Sequence, residues 1–174
     1  MRKCFAIEAS QNLSRDCFIC GVENKYGVKT RFYQSRDKEV IAVFTLLSQH
    51  QSYPGIAHGG LSGAILDETI GRAIMPYHDQ NTFGVTLDLH MRYRHPVPLD
   101  TQLHAIGRVT REQGRTFEGS GELLLPDGKV AVSAHGKYIK RRAEQIADAS
   151  FETEAWFEPR DPTPQHIEVA TSKK

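Results

Sequence analysis

The sequence predicts an α+β chain of two layers, a single helix lying against one long antiparallel sheet. Three observations lead there. From about Gly60 to Tyr77 apolar residues recur at helical spacing. On both sides, β-branched and aromatic segments alternate with a period of two. After the helix, Gln113-Gly114 and Pro126-Asp127-Gly128 break the chain into strands joined by tight turns.

In chain order, residues 1–16 have no clean period and read as a short helix or a loop, an N-terminal extension. "CFICGVENKYGVKTRFY" carries the turn residues Gly21, Asn24 and Gly27, then alternates through Val28, Arg31 and Tyr33 as a loop entering a strand. "EVIAVFTL", Glu39 to Leu46, is a second strand, and "QHQSYPGIAHGG" is a loop that turns at Pro54-Gly55. In the helix, Leu61, Ala64, Ile65, Ile70, Ala73 and Ile74 form the apolar stripe and Leu66 widens it. Gly63, Ala64, Gly71 and Ala73 keep it thin enough for a sheet to curl around.

Along "FGVTLDLHMRYRH", strict alternation turns Val85, Leu87, Leu89, Met91 and Tyr93 one way and Thr86, Asp88, His90 and Arg92 the other. Three more strands fill Thr101 to Arg141. From about Ala143 the chain becomes polar and Pro-bearing, and a loose tail is expected, with Trp156 and Phe157 available to anchor part of it. The expected division is therefore an extension over 1–16, one domain over 17–142 and a polar tail over 143–174.

Bulk composition narrows the function. With 39% hydrophobic and 25% charged residues the chain has enough apolar surface for a packed core. A formal net charge of +1 argues against nonspecific nucleic-acid binding. No apolar run is long enough to span a bilayer, and "MRKCFAIEASQN" is too short and polar for a secretory signal, so a cytoplasmic protein without a membrane partner is expected. Cys4, Cys17 and Cys20 are too few for a disulfide framework or a four-thiolate zinc site. "CFIC" keeps a redox or metal pair open, beside the plainer reading of small apolar loop residues. The histidines show no pairing with a carboxylate at metal-ligand spacing, so no metal is expected. No Gly-rich phosphate loop and no nucleophile elbow is present.

The chemistry-bearing feature is an acid within the helix. Glu68 has Arg72 as its partner four residues on, the arrangement of a solvated helix face. Asp67 has none: Gly63, Ala64, Ile70 and Gly71 surround it. At the mouth of the helix, His58, Gly59 and Gly60 stand where the first N–H groups lack intrahelical acceptors and the dipole is positive. Glycine there lets an incoming oxyanion reach the amides without meeting a Cβ. Gly59 and Asp67 are eight residues apart, about 12 Å along one helix. A single carbonyl group is too small to touch both, whereas two chains around a two-fold axis can bring one chain's Gly59 to the other's Asp67.

"HGG", then "LDE" six residues later on a helix, then "GVTLDLHMRYRHP", resembles the hotdog-fold thioesterases, in particular the PaaI-like branch of the 4-hydroxybenzoyl-CoA thioesterase superfamily. The resemblance covers roughly Cys17 to Lys140, and "CFICGVENKYG" is similar to the entry segment of some members. It implies a sheet wrapped around the central helix, a homodimer or dimer of dimers, and metal-independent hydrolysis of acyl-CoA with no cofactor beyond the coenzyme A of the substrate. It further implies Asp67 as base or nucleophile, the Gly59 amide as oxyanion donor, His58 as orienting that loop or meeting the carbonyl, and Thr86 as holding the acid or the water. Gly60 would contribute at the same mouth. Relatives often carry an amide side chain ahead of the first glycine; here Ser52 stands there beside Gln51, so either Gln51 serves or the contact is missing. Arg92 and Arg94 offer charge for the CoA phosphates, although a charged strand edge is an equally good account of each.

The leading expectation is thus an acyl-CoA thioesterase. A non-catalytic acyl-CoA or small-ligand binder on the same fold is the alternative, kept open by Ser52. A lyase ranks last because Asp67 has no histidine partner in sequence.

Overall fold

The computed structural model describes residues 1–146 and 156–172. Its strands are β1 (Arg2–Ser10), β2 (Leu13–Ser14), β3 (Arg31–Ser35), β4 (Val40–Thr45), β5 (Gln51–Tyr53), β6 (Ile56–Ala57), β7 (Thr82–Tyr93), β8 (Gln102–Gln113), β9 (Thr116–Leu124), β10 (Val130–Arg142), β11 (Trp156–Phe157) and β12 (His166–Ala170), and α1 covers Gly59–Arg72. Eight strands form one antiparallel sheet in the order β12-β1-β3-β4-β8-β9-β10-β7, with β5-β6 and β11-β2 as separate pairs.

Burial of one face of α1 fixes the two layers. Ile65, Leu66, Ile70, Ala73 and Ile74 are fully buried and meet Ala42 and Phe44 of β4, Leu103 and Ala105 of β8 and Val132 of β10 in one core. Alternation along β4 sends Val40, Ala42 and Phe44 to the helix, while Ile41 joins Phe5, Ile7, Ile106, Leu124 and Val169 in a second cluster. The helix ends at Arg72, and a short 3-10 turn, Met75–Tyr77, completes the expected span.

Glycines in the sheet, as well as those in the helix, allow the close approach. A Cβ on Gly107 of β8 would lie 2.5 Å from the Thr69 carbonyl oxygen, and one on Gly119 of β9 would lie 2.4 Å from Ile70 Cγ2. Each absent side chain leaves room for α1 against the central strands.

Two expectations about the chain ends are corrected. Residues 2–10 are neither helix nor loop but a strand, bonded to β3 and β12. Its local signal is weak because only Phe5 and Ile7 turn inward, and its partners come from elsewhere in the chain. The tail is structured where it is described: β12 extends the sheet edge, and Trp156 packs edge-on to Phe83 at 5.0 Å while its indole N–H bonds to the Gln80 carbonyl at 3.2 Å. Residues 147–155 and 173–174 of that tail lie outside the described residues.

A bulge in β7 reverses the expected side-chain parity. Gly136 of β10 pairs with Leu89 and Lys137 with Asp88, but Tyr138 pairs with Thr86, which leaves Leu87 as the extra residue. Thr86 therefore shares the helix-facing side with Leu89 and Met91, contrary to strict alternation. Continuous alternation would have pointed its hydroxyl away from α1.

Candidate active site

The middle of α1 carries Asp67 under the bulged part of β7. Its Oδ1 accepts a hydrogen bond from the Thr86 hydroxyl at 2.7 Å and from the Tyr138 hydroxyl at 3.2 Å. Among the described residues no cation bonds to this carboxylate and Oδ2 carries no hydrogen bond, so two neutral donors hold one oxygen and leave the other open. Tyr138 is fully buried and stacks on Phe117 with ring centroids 5.0 Å apart. Burial first, and then the adjacent Asp67 carboxylate, push its phenol well above the usual tyrosine range. It therefore keeps its proton and acts as a donor. Thr86 is exposed and Asp67 half-buried, so the acid is closed on the Tyr138 side and open at the sheet edge.

Beside Asp67 lies a cavity of about 380 Å³, within the size range of small-molecule sites. Ala64, Asp67 and Gly71 of α1 form its floor, Phe83 and Gly84 one wall, and Cys17, Cys20, Glu68, Arg72 and Trp156 the other. In that wall, Glu68 takes two bonds from Arg72, at 2.9 and 2.8 Å, as the four-residue spacing predicts, but the face is not the solvated one expected: Arg72 is buried against the N-terminal segment. The same guanidinium bonds to the Asn12 carbonyl at 2.8 Å and to Cys20 Sγ at 3.3 Å, and lies over the Phe32 ring.

At the helix mouth, His58 is the N-cap: its Nδ1 accepts the Gly60 N–H at 3.0 Å. That bond holds the turn and occupies the Gly60 amide, so the expected contribution of Gly60 to ligand binding is not available from its N–H. The Gly59 N–H has no acceptor among the described residues. Tyr93 of β7 holds this turn by donating its hydroxyl to the Gly59 carbonyl at 3.0 Å.

The remaining expected residues are not brought to Asp67 within the chain. Gln51 and Ser52 are exposed in the β5-β6 hairpin, where Gln51 Oε1 accepts the Gly55 N–H at 3.0 Å. Arg92 lies on the side of β7 away from α1, and Arg94 donates to Ser133 Oγ at 2.6 Å. His50 is a structural histidine, its Nδ1 accepting the Leu47 N–H and its Nε2 bonded to the Tyr26 carbonyl.

Sequence reading missed Tyr138. Its signal is a period of two with Val132, Ala134 and Gly136, which marks it as inward-facing, but its partner is 71 positions away. The wall of Cys17, Cys20 and Arg72 was missed for the same reason.

A long antiparallel sheet wrapped around one central helix, with an acid at mid-helix and an unpaired amide at the mouth, defines a hotdog fold. Residues 54–132 match a family model described as "Thioesterase superfamily", and the chain carries a hotdog domain of the thioesterase superfamily. Among solved structures it is similar to RHA08564, a thioesterase superfamily protein, at 30% identity and a TM-score of 0.66 over 72% of this chain and 60% of that one. It also matches the Escherichia coli PaaI protein from the phenylacetic acid degradation operon, at 16% identity and a TM-score of 0.59 over 66% of this chain and 80% of that one, a likeness of fold alone. A curated relative, the uncharacterized protein C26H8.11c of Schizosaccharomyces pombe, is 26% identical over 63% of this chain and 64% of its own length. The chain thus spans less than two thirds of the length of that protein and of RHA08564.

Proposed function

We propose that the chain hydrolyses acyl-CoA thioesters at a site shared by two copies, as a PaaI-like member of its superfamily. The observation that carries this reading is Asp67, held by the Thr86 and Tyr138 hydroxyls on a ligand-sized cavity with no cation among the described residues bonded to it. The thioester carbonyl would lie with its oxygen on the partner's Gly59 N–H. Asp67 either takes a proton from water as that water attacks the carbonyl carbon, or attacks the carbon itself. Thr86 and Tyr138 fix the carboxylate, and the negative carbonyl oxygen is stabilised by the amide and the positive end of the helix. Coenzyme A leaves as the thiolate, and on the nucleophilic route water then cleaves the Asp67–acyl anhydride to release the carboxylic acid and restore Asp67.

The second copy would meet β7, the edge strand next to Asp67. Its Leu87 and Tyr93 are each 54% exposed, and an unpaired edge of this length invites pairing. The reading needs no metal, nucleic acid or membrane; among the described residues no helix is long and apolar enough to cross a bilayer. A cytoplasmic location is part of the proposal.

One observation favours the alternative of a non-catalytic acyl-CoA binder. Gln51 is engaged by its own hairpin and Ser52 is exposed, so the amide contact common in relatives is missing within the chain. A thiol-release screen over short, long and aromatic acyl-CoAs separates the two. Turnover by the native chain that falls at least about a hundredfold in Asp67→Asn supports hydrolysis; saturable binding without thiol release supports the alternative.

A further inference from the structure

The cavity beside Asp67 also presents two thiols that the proposed hydrolysis leaves unused. Cys17 and Cys20 lie in a turn closed by the Gly21 N–H on the Cys17 carbonyl at 2.8 Å. Cys17 is half-buried and Cys20 buried, both line the cavity, and their sulfurs are no more than 4.8 Å apart. Cys17 Sγ accepts the Ile19 N–H at 3.3 Å, and Cys20 Sγ lies 3.3 Å from Arg72 Nη2.

We infer that Cys17 and Cys20 form a reversible dithiol–disulfide centre opening into the cavity, with Cys17 as the attacking thiolate, Cys20 as the resolving thiol and a low-molecular-weight disulfide as the oxidant. This inference is independent of the thioesterase reading.

Access and hydrogen bonding assign the roles. Only Cys17 is partly accessible, and the donors around its sulfur stabilise negative charge. The Cys20 S–H bond, with the Cys20 and Ile19 amides, brings the Cys17 thiol down to about 7 against the opposing effects of burial and Glu68. The same sulfur–sulfur hydrogen bond, then burial, push the Cys20 thiol far up, so it acts second. Arg72 stands ready to stabilise its charge as the S–H bond breaks.

The steps balance. Cys17 gives up its proton, with Glu68 Oε2 at 3.5 Å as the first acceptor, and its thiolate attacks one sulfur of the small disulfide RSSR. The RS–SR bond breaks, and the departing RS⁻ takes up that proton. Cys20 sulfur then attacks Cys17 sulfur, the Cys17–SR bond breaks, and the Cys20 proton passes to the second RS⁻. The protein loses two electrons and two protons, and RSSR becomes two RSH. The sulfurs must close to about 2.05 Å.

A metal ion is the competing use, because a Glu68 oxygen also lies within 4.8 Å of both sulfurs. Arg72 argues against it. Its guanidinium already spans Glu68 and Cys20, supplying a permanent cation to the same ligand set.

The test equilibrates the full chain in buffers of graded glutathione to glutathione disulfide ratio, alkylates the remaining thiols and maps the cysteines by mass spectrometry. At this pair, and leaving the separate Cys4 aside, the native chain should pass from two alkylated thiols to one Cys17–Cys20 link. Cys20→Ser should stop at one glutathionyl group on Cys17, formed about tenfold faster than on the exposed Cys4, and Cys17→Ser should leave Cys20 unmodified while folded. Both thiols of the native chain remaining alkylatable at every ratio would overturn the inference. So would protection of the pair by added zinc that a chelator reverses, which would identify a metal site instead.

Discussion

The Tyr138 hydroxyl lies 3.2 Å from Asp67 Oδ1 although 71 positions separate the two residues, and it supplies the buried half of the carboxylate's support. Thr86 supplies the exposed half at 2.7 Å. The pair fixes the direction of an acid that no charge partner among the described residues holds.

Removing either hydroxyl without changing shape tests that support. Tyr138→Phe keeps the stack on Phe117, and Thr86→Val keeps the volume and the β-branch. Each should lower kcat about tenfold, the range of a lost hydrogen bond to a charged acceptor, with KM little changed. Steady-state kinetics on the best acyl-CoA of the screen measures both. Since the two donors share one oxygen, the double variant should lose less than the product of the single effects.

The close approach of α1 to the sheet gives a stability prediction. At Gly107 an added Cβ meets the backbone of Thr69, and at Gly119 it meets Cγ2 of the fully buried, β-branched Ile70, with the Arg108 carbonyl oxygen 3.0 Å away. Gly107→Ala and Gly119→Ala should therefore each cost about 2–3 kcal/mol, read as shifts in the urea midpoint at constant slope. A cost below about 1 kcal/mol at either position would contradict the packing described.

The Cys17 thiol, brought down from 9.0 to about 7, gives a pH prediction. Its iodoacetamide alkylation rate should rise as pH passes through about 7, because the thiolate is the reactive form. In Cys20→Ala, which has no side-chain donor, the midpoint should move upward, since the S–H donor contributes most to the lowering. The linkage has a definite sign: a thiol acid stronger in the folded state adds stability that is complete above the unfolded value and is lost as pH falls through about 7.

How much was legible in the sequence follows from the range of each interaction. The central helix, its acid and its glycine mouth were legible because spacing within one helix is local. The strands after it were legible from short turns and period two. The helix-facing Thr86 was not, because strict alternation pointed it outward and only the pairing with β10 reveals the extra residue Leu87. Nor was β1, whose inward residues Phe5 and Ile7 gain meaning only beside Ile41 and Val169. Tyr138 and the Cys17, Cys20 and Arg72 wall likewise depend on partners brought together by the whole fold.

The most direct test of a site shared between copies uses two inactive variants. Asp67→Asn removes the acid. Gly59→Pro removes the mouth amide and fills the approach that glycine leaves open, while the helix should tolerate it, since proline is accepted at the first helical position and His58 before it already has an extended backbone. Each variant alone should be nearly inactive. Mixed and allowed to exchange subunits, they should regain thioester hydrolysis, because each mixed dimer joins the intact Asp67 of one chain to the intact Gly59 of the other. Activity that stays at the level of the separate variants, with mixed dimers demonstrated by mass spectrometry, would contradict the account.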